Sequence, residues 1–135
     1  MAAVDKGKSE VDRLPPMGRY VFGLLRRTSD VSPIGEKELE RIQEGHLGHL
    51  RKLRESGELI ASGPLEEAGD LRGVLIFRTE SVEHARELMR GDPAIVSGRL
   101  TLDAHRWYAP AGLATGGVQP PSPESPPGRR SGPSR

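Results

Sequence analysis

Four histidines are the residues of this sequence most suited to proton transfer, and His46 is the most informative of them. An imidazole can give or take a proton near neutral pH. When residues 36–57 are projected as a helix at roughly 100° per residue, His46 falls inside an apolar stripe, where a leucine would be expected. The stripe consists of Leu39, Ile42, Leu50 and Leu53. Because burying an unpaired imidazole is costly, His46 is predicted to be either a hydrogen-bonded core histidine or a general acid–base catalyst.

The other three histidines have less specific surroundings. His49 follows one turn later and completes a His-x-x-His pair, but zinc needs a third protein ligand and the spacing supplies none, so we expect no metal site. His84 is expected on a solvated helix face. His105 shares a strand face with Thr101 and Asp103, where it can face a cleft or a dimer interface.

Asp92 is the carboxylate that could assist a histidine. It follows a predicted helix and precedes Pro93, and Asp-Pro at such a turn is a natural N-cap followed by the first helical residue. The alternative is a carboxylate that orients a histidine and stabilises its protonated form. Spacing alone does not join Asp92 to His46. The sequence has no nucleophile elbow, phosphate loop, H-E-x-x-H motif or dinucleotide fingerprint.

Charge, hydropathy and cysteine content exclude several classes of protein. The net charge of +1, from 20 basic and 19 acidic residues, argues against a dedicated nucleic-acid binder. No apolar run reaches the length of a membrane span, no signal peptide is apparent, and cysteine is absent, so we expect a cytoplasmic protein without disulfides. Residues 1–16 and the Pro/Gly/Ser-rich residues 111–135 are expected to be disordered around one domain, 17–110, with partner docking by the tail as a weaker alternative.

The elements of the domain alternate between strand and helix patterns. Strands are predicted at 17–27, 58–62, 71–79 and 99–108, with helices over 36–56 and from Ser81 onward, and one short turn after Pro93. The order β-α-β-β-α-β predicts an α+β fold, a ferredoxin-like antiparallel sheet with two helices on one face. The first and third strands are apolar on both faces, so the uncovered face is predicted to pack on a second copy in a homodimer. Gly45 and Gly48 project away from the apolar stripe and are expected only to loosen the first helix.

Two stretches resemble a known family. Residues 46–64, HLGHLRKLRESGELIASGP, resemble the signature of the YciI-like (YCII-related) family: a helix histidine, an apolar helix with a glycine stop, a short strand and Gly-Pro. Residues 91–100, GDPAIVSGRL, are similar to its second landmark, an Asp-Pro turn, a small-residue helix and a glycine before the last strand. The resemblance spans nearly all of 17–110. It implies a dimeric α+β barrel with a pocket between sheet and helices that holds a His–Asp pair.

The resemblance also implies roles for particular residues. His46 and Asp92 correspond to the family's histidine and aspartate and are the predicted catalytic pair, with Gly63 and Pro64 in the wall of a substrate pocket. His49 lies outside the family pattern and is a further substrate-binding candidate. Relatives include a dehydrochlorinase acting on a chlorinated hydroxyquinone, so a lyase or isomerase without cofactor is expected, acting on a small-molecule ligand. The alternative is a non-catalytic ligand-binding or regulatory module in which the pair is a structural hydrogen bond.

Overall fold

The computed structural model describes residue 7 and residues 9–29, 31–67 and 69–113. A short 3-10 turn, Val11–Arg13, precedes the domain. The strands are β1 Met17–Arg27, β2 Leu59–Pro64, β3 Leu71–Phe77 and β4 Leu100–Pro110. The helices are α1 Glu36–Glu55, α2 Val82–Met89 and α3 Pro93–Val96. The predicted element order is confirmed, and α3 is the short turn expected after Pro93. Of the two segments expected to be disordered, residues 1–6, 8 and 114–135 lie outside the described residues.

The four strands form one antiparallel sheet in the order β2-β3-β1-β4. β1 lies in the centre, where Val21 pairs with Phe77 of β3 and with Arg106 of β4. The main core lies between this sheet and the helices, and its fully buried members include Val21, Phe77 and Met89. This is the ferredoxin-like α+β arrangement, with the helices covering one face of the sheet. None of the described helices combines the length and the apolar character that a membrane crossing requires.

Helix α1 buries the central part of its predicted stripe. His46, Leu50 and Leu53 are buried and Ile42 is half-buried, but Leu39 is 44% exposed. The prediction that Leu39 belongs to the buried stripe is wrong, because the first turn of the helix extends beyond the core.

Gly57 ends α1 as the sequence predicts. It has φ +85°, a left-handed conformation that favours glycine. Its N–H donates to the carbonyl of Arg54 at 3.1 Å, and that of Glu58 donates to the carbonyl of Leu53 at 3.0 Å. This pair of hydrogen bonds is a Schellman motif, which satisfies the carbonyls left over at a helix end.

The outer face of the sheet carries a second apolar cluster. Tyr20, Ile76 and Ala109 are buried there, and Phe22 and Val74 pack partly buried against them. The prediction that β1 and β3 are apolar on both faces is therefore confirmed. The homodimer inferred from it stays a prediction.

Candidate functional site

His46 and Asp92, 46 positions apart in the sequence, meet in the folded chain. His46 lies in the middle of α1, and Asp92 lies at the start of α3. The Nδ1 atom of the imidazole is 2.9 Å from each carboxylate oxygen of Asp92. The aspartate is fully buried, whereas the histidine side chain keeps 11% of its surface exposed. The fold thus supplies the pairing that spacing alone left open.

The turn before α3 determines where the Asp92 carboxylate points. Asp92 occupies the N-cap position, and its backbone carbonyl accepts from the N–H groups of Ile95 and Val96 at 2.9 and 2.8 Å. Its side chain makes no capping hydrogen bond. An N-cap carboxylate usually accepts from the helix backbone. Here both oxygens turn to His46 instead, so the side chain serves the contact between helices rather than the start of its own helix.

Gly45 allows α3 to approach α1 at this point. A Cβ atom built on Gly45 would lie 2.6 Å from Cγ of Pro93, closer than real Cβ contacts. Gly48, by contrast, has nothing within 4 Å of its built Cβ. The expectation that both glycines only loosen the helix is therefore wrong for Gly45. The absence of its side chain is what lets Pro93, and with it Asp92, pack beside the residue that follows, His46.

The pairing determines which ring nitrogen of His46 can react. An ionised carboxylate only accepts hydrogen bonds, so Nδ1 must donate its proton to Asp92. In the neutral ring Nε2 then carries the free lone pair. Among the described residues Nε2 has no hydrogen-bond partner, and it is not a buried atom. The arrangement can therefore accept a proton at Nε2, while the nearby carboxylate stabilises the resulting imidazolium.

His49, the second histidine of the predicted site, makes a different contact. Its Nε2 lies 2.7 Å from the carbonyl oxygen of Leu88, to which it donates as N–H. The bond ties α1 to the end of α2, and the ring packs 3.6 Å from the built Cβ of Gly91. This is a structural contact, and a substrate-binding role for His49 stays a prediction. Nowhere in the described ranges do three or more His, Asp or Glu side chains gather closely enough to hold a metal ion.

Gly63 and Pro64 belong to strand β2, not to a turn after it. They pair with Val74 and Gly73 of β3, so the prediction that the strand ends at Ser62 is wrong. β2 is an edge strand, where a proline is tolerated because the ladder does not need its missing N–H. Both residues are exposed, and neither hydrogen bonds to His46 or Asp92. Their place in a pocket wall stays a prediction.

The sequence matches a known protein family over most of the folded domain. The model of the YCII-related domain family matches residues 24–102, more than half of the chain and both residues of the His–Asp pair. The chain belongs to the YCII-related domain family.

A solved structure with a similar fold is that of 5-chloro-2-hydroxyhydroquinone dehydrochlorinase (TftG) from Burkholderia phenoliruptrix AC1100, in complex with 2,5-dihydroxybenzoquinone. It is 22% identical, with a TM-score of 0.47, over 64% of this chain and 92% of that chain. No curated protein sequence matches this chain. The match of the family model to residues 24–102 confirms the family resemblance seen in residues 46–64 and 91–100.

The remaining histidines of this YCII-related domain lie apart from the pair. His84 on α2 is half exposed, with Nε2 3.8 Å from Glu58 and Nδ1 3.8 Å from Glu87. His105 is exposed on the outer face of the sheet, opposite Phe22 in the β1–β4 register. The exposed position of His84 agrees with the prediction, whereas a place for His105 in a cleft or a dimer interface stays a prediction.

Clefts open on the surface of the domain at both ends of α1. One of about 510 Å³ lies at the C-terminal end of α1, beside Arg78 and His84. The other, of about 440 Å³, lies beside the N-terminal half of α1 and is lined by Thr28 and Arg99 among others. His46 lines neither cleft. Sequence reasoning missed Thr28 and Arg99. Thr28 lies outside the two stretches that resemble the family, Arg99 lies within residues 91–100 with no role assigned to it, and the two become neighbours only when β1 pairs with β4.

Proposed function

We propose that this protein is an enzyme of the lyase or isomerase type that needs no cofactor and uses His46 to move a proton on a small organic molecule. One observation carries the proposal. The fully buried carboxylate of Asp92 lies 2.9 Å from Nδ1 of His46 and caps no helix, so the opposite ring nitrogen is left without a partner among the described residues. A carboxylate that holds a histidine in one tautomer is the arrangement that general bases use in other enzymes.

The proposed chemistry follows from the tautomer. Nε2 of His46 takes a proton from an acidic C–H or O–H group of the substrate, and the electrons of that bond move into the substrate. In a lyase reaction a double bond then forms and the leaving group departs with its bonding electron pair. In an isomerase reaction the imidazolium returns the proton to a different carbon. Asp92 keeps its negative charge throughout and stabilises the imidazolium in an environment that excludes water.

Proton exchange can be measured before the natural substrate is identified. A panel of small enolisable keto acids and hydroxyquinones is incubated in D₂O with the full chain, and loss of C–H signals is followed by proton NMR. We expect exchange with at least one compound, and its loss in His46→Gln. His84→Gln is the matched control, since it replaces an exposed histidine away from the pair. Equal exchange by His46→Gln and the wild type would refute the assignment.

A second candidate function is a non-catalytic ligand-binding or regulatory module. The observation that favours it is the restricted access to the pair: the His46 side chain is 11% exposed, and neither partner lines the two clefts. In that case the pair is a structural hydrogen bond between α1 and α3. His46→Gln would then lower the free energy of unfolding by about 1–3 kcal/mol for the partner left unsatisfied, and no compound of the panel would exchange.

We propose that the outer face of the sheet joins two copies of the chain. The support is the apolar surface that none of the described helices covers, where Trp107 remains 37% exposed and stacks edge-on against Phe22 with ring centroids 5.3 Å apart. Monomeric proteins rarely leave such a surface open to water. The cytoplasmic location and the absence of nucleic-acid partners, both expected from the sequence, stay predictions.

A further inference from the structure

The 440 Å³ cleft beside the N-terminal half of α1 combines a positive charge, an unpaired hydroxyl and an apolar wall. It lies between the connection from β1 to α1, the first two turns of α1, and the turn from α3 to β4. Its volume is in the range of small-molecule sites. The residues used below are Thr28, Ile34, Glu38, Ile42 and Arg99.

Arg99 gives the cleft a positive charge that is not paired with a carboxylate of the described residues. Its guanidinium donates to the backbone carbonyl of Ser32 at 3.3 Å, and within the described ranges it has no ion-pair partner. Among the described residues that line the cleft, Glu38 is the acidic one, and it is already paired with Arg41 one turn along α1. An arginine with donors to spare at the wall of a cleft is suited to a carboxylate, which its planar group can bind through two hydrogen bonds.

Thr28 adds a hydroxyl to the residues that line the same cleft. The backbone N–H of Thr28 donates to the carbonyl of Arg99 at 3.0 Å, continuing the pairing of β1 with β4 and fixing the two residues side by side. The Oγ1 atom is buried and has no hydrogen-bond partner among the described residues. Buried hydroxyl groups are nearly always paired in folded proteins. An oxygen of a ligand in the cleft would satisfy it after a rotation about χ1 of Thr28.

Part of the lining of the cleft is apolar. Ile34 is 38% exposed and Ile42 is half-buried, and both line the same space as Arg99. Such a wall favours the hydrocarbon part of a ligand whose charged end lies on the arginine. The cleft therefore selects for a molecule that is anionic at one end and apolar at the other.

We infer that this cleft binds a small organic acid, with its carboxylate on the Arg99 guanidinium and the Thr28 hydroxyl and its apolar body against Ile34 and Ile42. Ile42 lies one helical turn before His46 on the same face of α1. His46 itself does not line the cleft, so binding of the acid does not depend on the proposed function: the residues that hold the acid are not the residues that move the proton.

The test measures binding of benzoate to the full chain by ¹H–¹⁵N NMR titration, with benzamide as the neutral analogue of the same shape. We expect benzoate to shift the amide signals of residues around Thr28 and Arg99 with a dissociation constant in the millimolar range, about 1–10 mM. Arg99→Gln should weaken binding about tenfold or more, the range of a charge-assisted hydrogen bond. Thr28→Val keeps the shape of the side chain and should weaken binding severalfold. Arg51→Gln, on the exposed side of α1, should leave it unchanged.

Several results would overturn the inference. These are equal binding of benzamide, unchanged binding by Arg99→Gln or Thr28→Val, and the absence of shifts at the cleft up to about 10 mM benzoate. The dispersion of the amide signals shows whether each variant is folded. If Arg99→Gln does not fold, Arg99→Lys is measured in its place. It keeps the positive charge but loses the planar fork, so it should bind benzoate more weakly than the wild type. His46→Gln should bind benzoate normally. If it does, and yet no compound exchanges protons, the proposed function fails and the binding site stands.

Discussion

The close contact between Gly45 and Pro93 can be tested by a substitution that adds a single methyl group at position 45. Gly45→Ala adds a Cβ atom that would lie 2.6 Å from Cγ of Pro93, and ordinary contact begins at 3.4 Å. The two helices must therefore move apart by about 0.8 Å at this point. Gly48→Ala makes the same change one turn later in the same helix, where nothing lies within 4 Å. It is the matched control.

The expected effect follows from two opposing contributions to stability. Alanine in a helix interior is favoured over glycine by about 1 kcal/mol, and this applies to both variants. Overpacking at Gly45 costs about 1–3 kcal/mol and applies to that variant alone. We therefore expect Gly48→Ala to be more stable than the wild type, and Gly45→Ala to be less stable than Gly48→Ala by about 1–3 kcal/mol.

The same displacement should reach the His–Asp pair. Asp92 directly precedes Pro93, so a shift of about 0.8 Å passed on in full would lengthen its 2.9 Å hydrogen bond to His46 to about 3.7 Å. That is beyond hydrogen-bond range. Gly45→Ala should thus lose the downfield Nδ1–H signal of His46 in proton NMR, and Gly48→Ala should keep it.

Urea denaturation of the three proteins, followed by circular dichroism, measures the stability difference. For a domain of this size the gap of 1–3 kcal/mol also appears as a difference in Tm of at least about 4 °C. Equal stability of the two alanine variants would refute the reasoning, because the close approach of Pro93 to Gly45 would then place no limit on a side chain there.

Four further predictions concern the pair, its neighbour and the outer face. The ¹⁵N shifts of His46 in the neutral ring should identify Nδ1 as the protonated nitrogen, and the opposite tautomer would contradict the pairing with Asp92. Asp92→Asn should lower any proton exchange by about 10²–10⁴-fold while the chain stays folded, and unchanged exchange would exclude a role for the carboxylate. His49→Leu should lose about 1 kcal/mol of stability with its bond to Leu88 but keep exchange activity, and a loss of activity at unchanged stability would indicate a binding role. Phe22→Glu should change a dimer to a monomer in sedimentation velocity, whereas a wild-type monomer would refute the proposed interface.

The order of the elements, the two-faced strands and the end of α1 could all be predicted from the sequence. These features depend on local chemistry: alternation along a strand, the helical repeat, and the conformational freedom of Gly57. Family membership was also readable, because the two stretches around His46 and Asp92 keep their residue types and spacing. The end of β2 could not be predicted from the sequence, because this edge strand extends through Pro64 only by pairing with β3.

Contacts between residues that are distant in the sequence depend on how the elements pack. Asp92 could have capped α3, and nothing in the local sequence indicates that its carboxylate turns to His46 instead. Gly45 looked like a weak point of a helix, and it is the position at which α3 packs. Arg99 meets Thr28 only where β4 pairs with β1. In each case the arrangement is stabilised by a contact between separate elements, and such contacts produce no periodic pattern in the sequence.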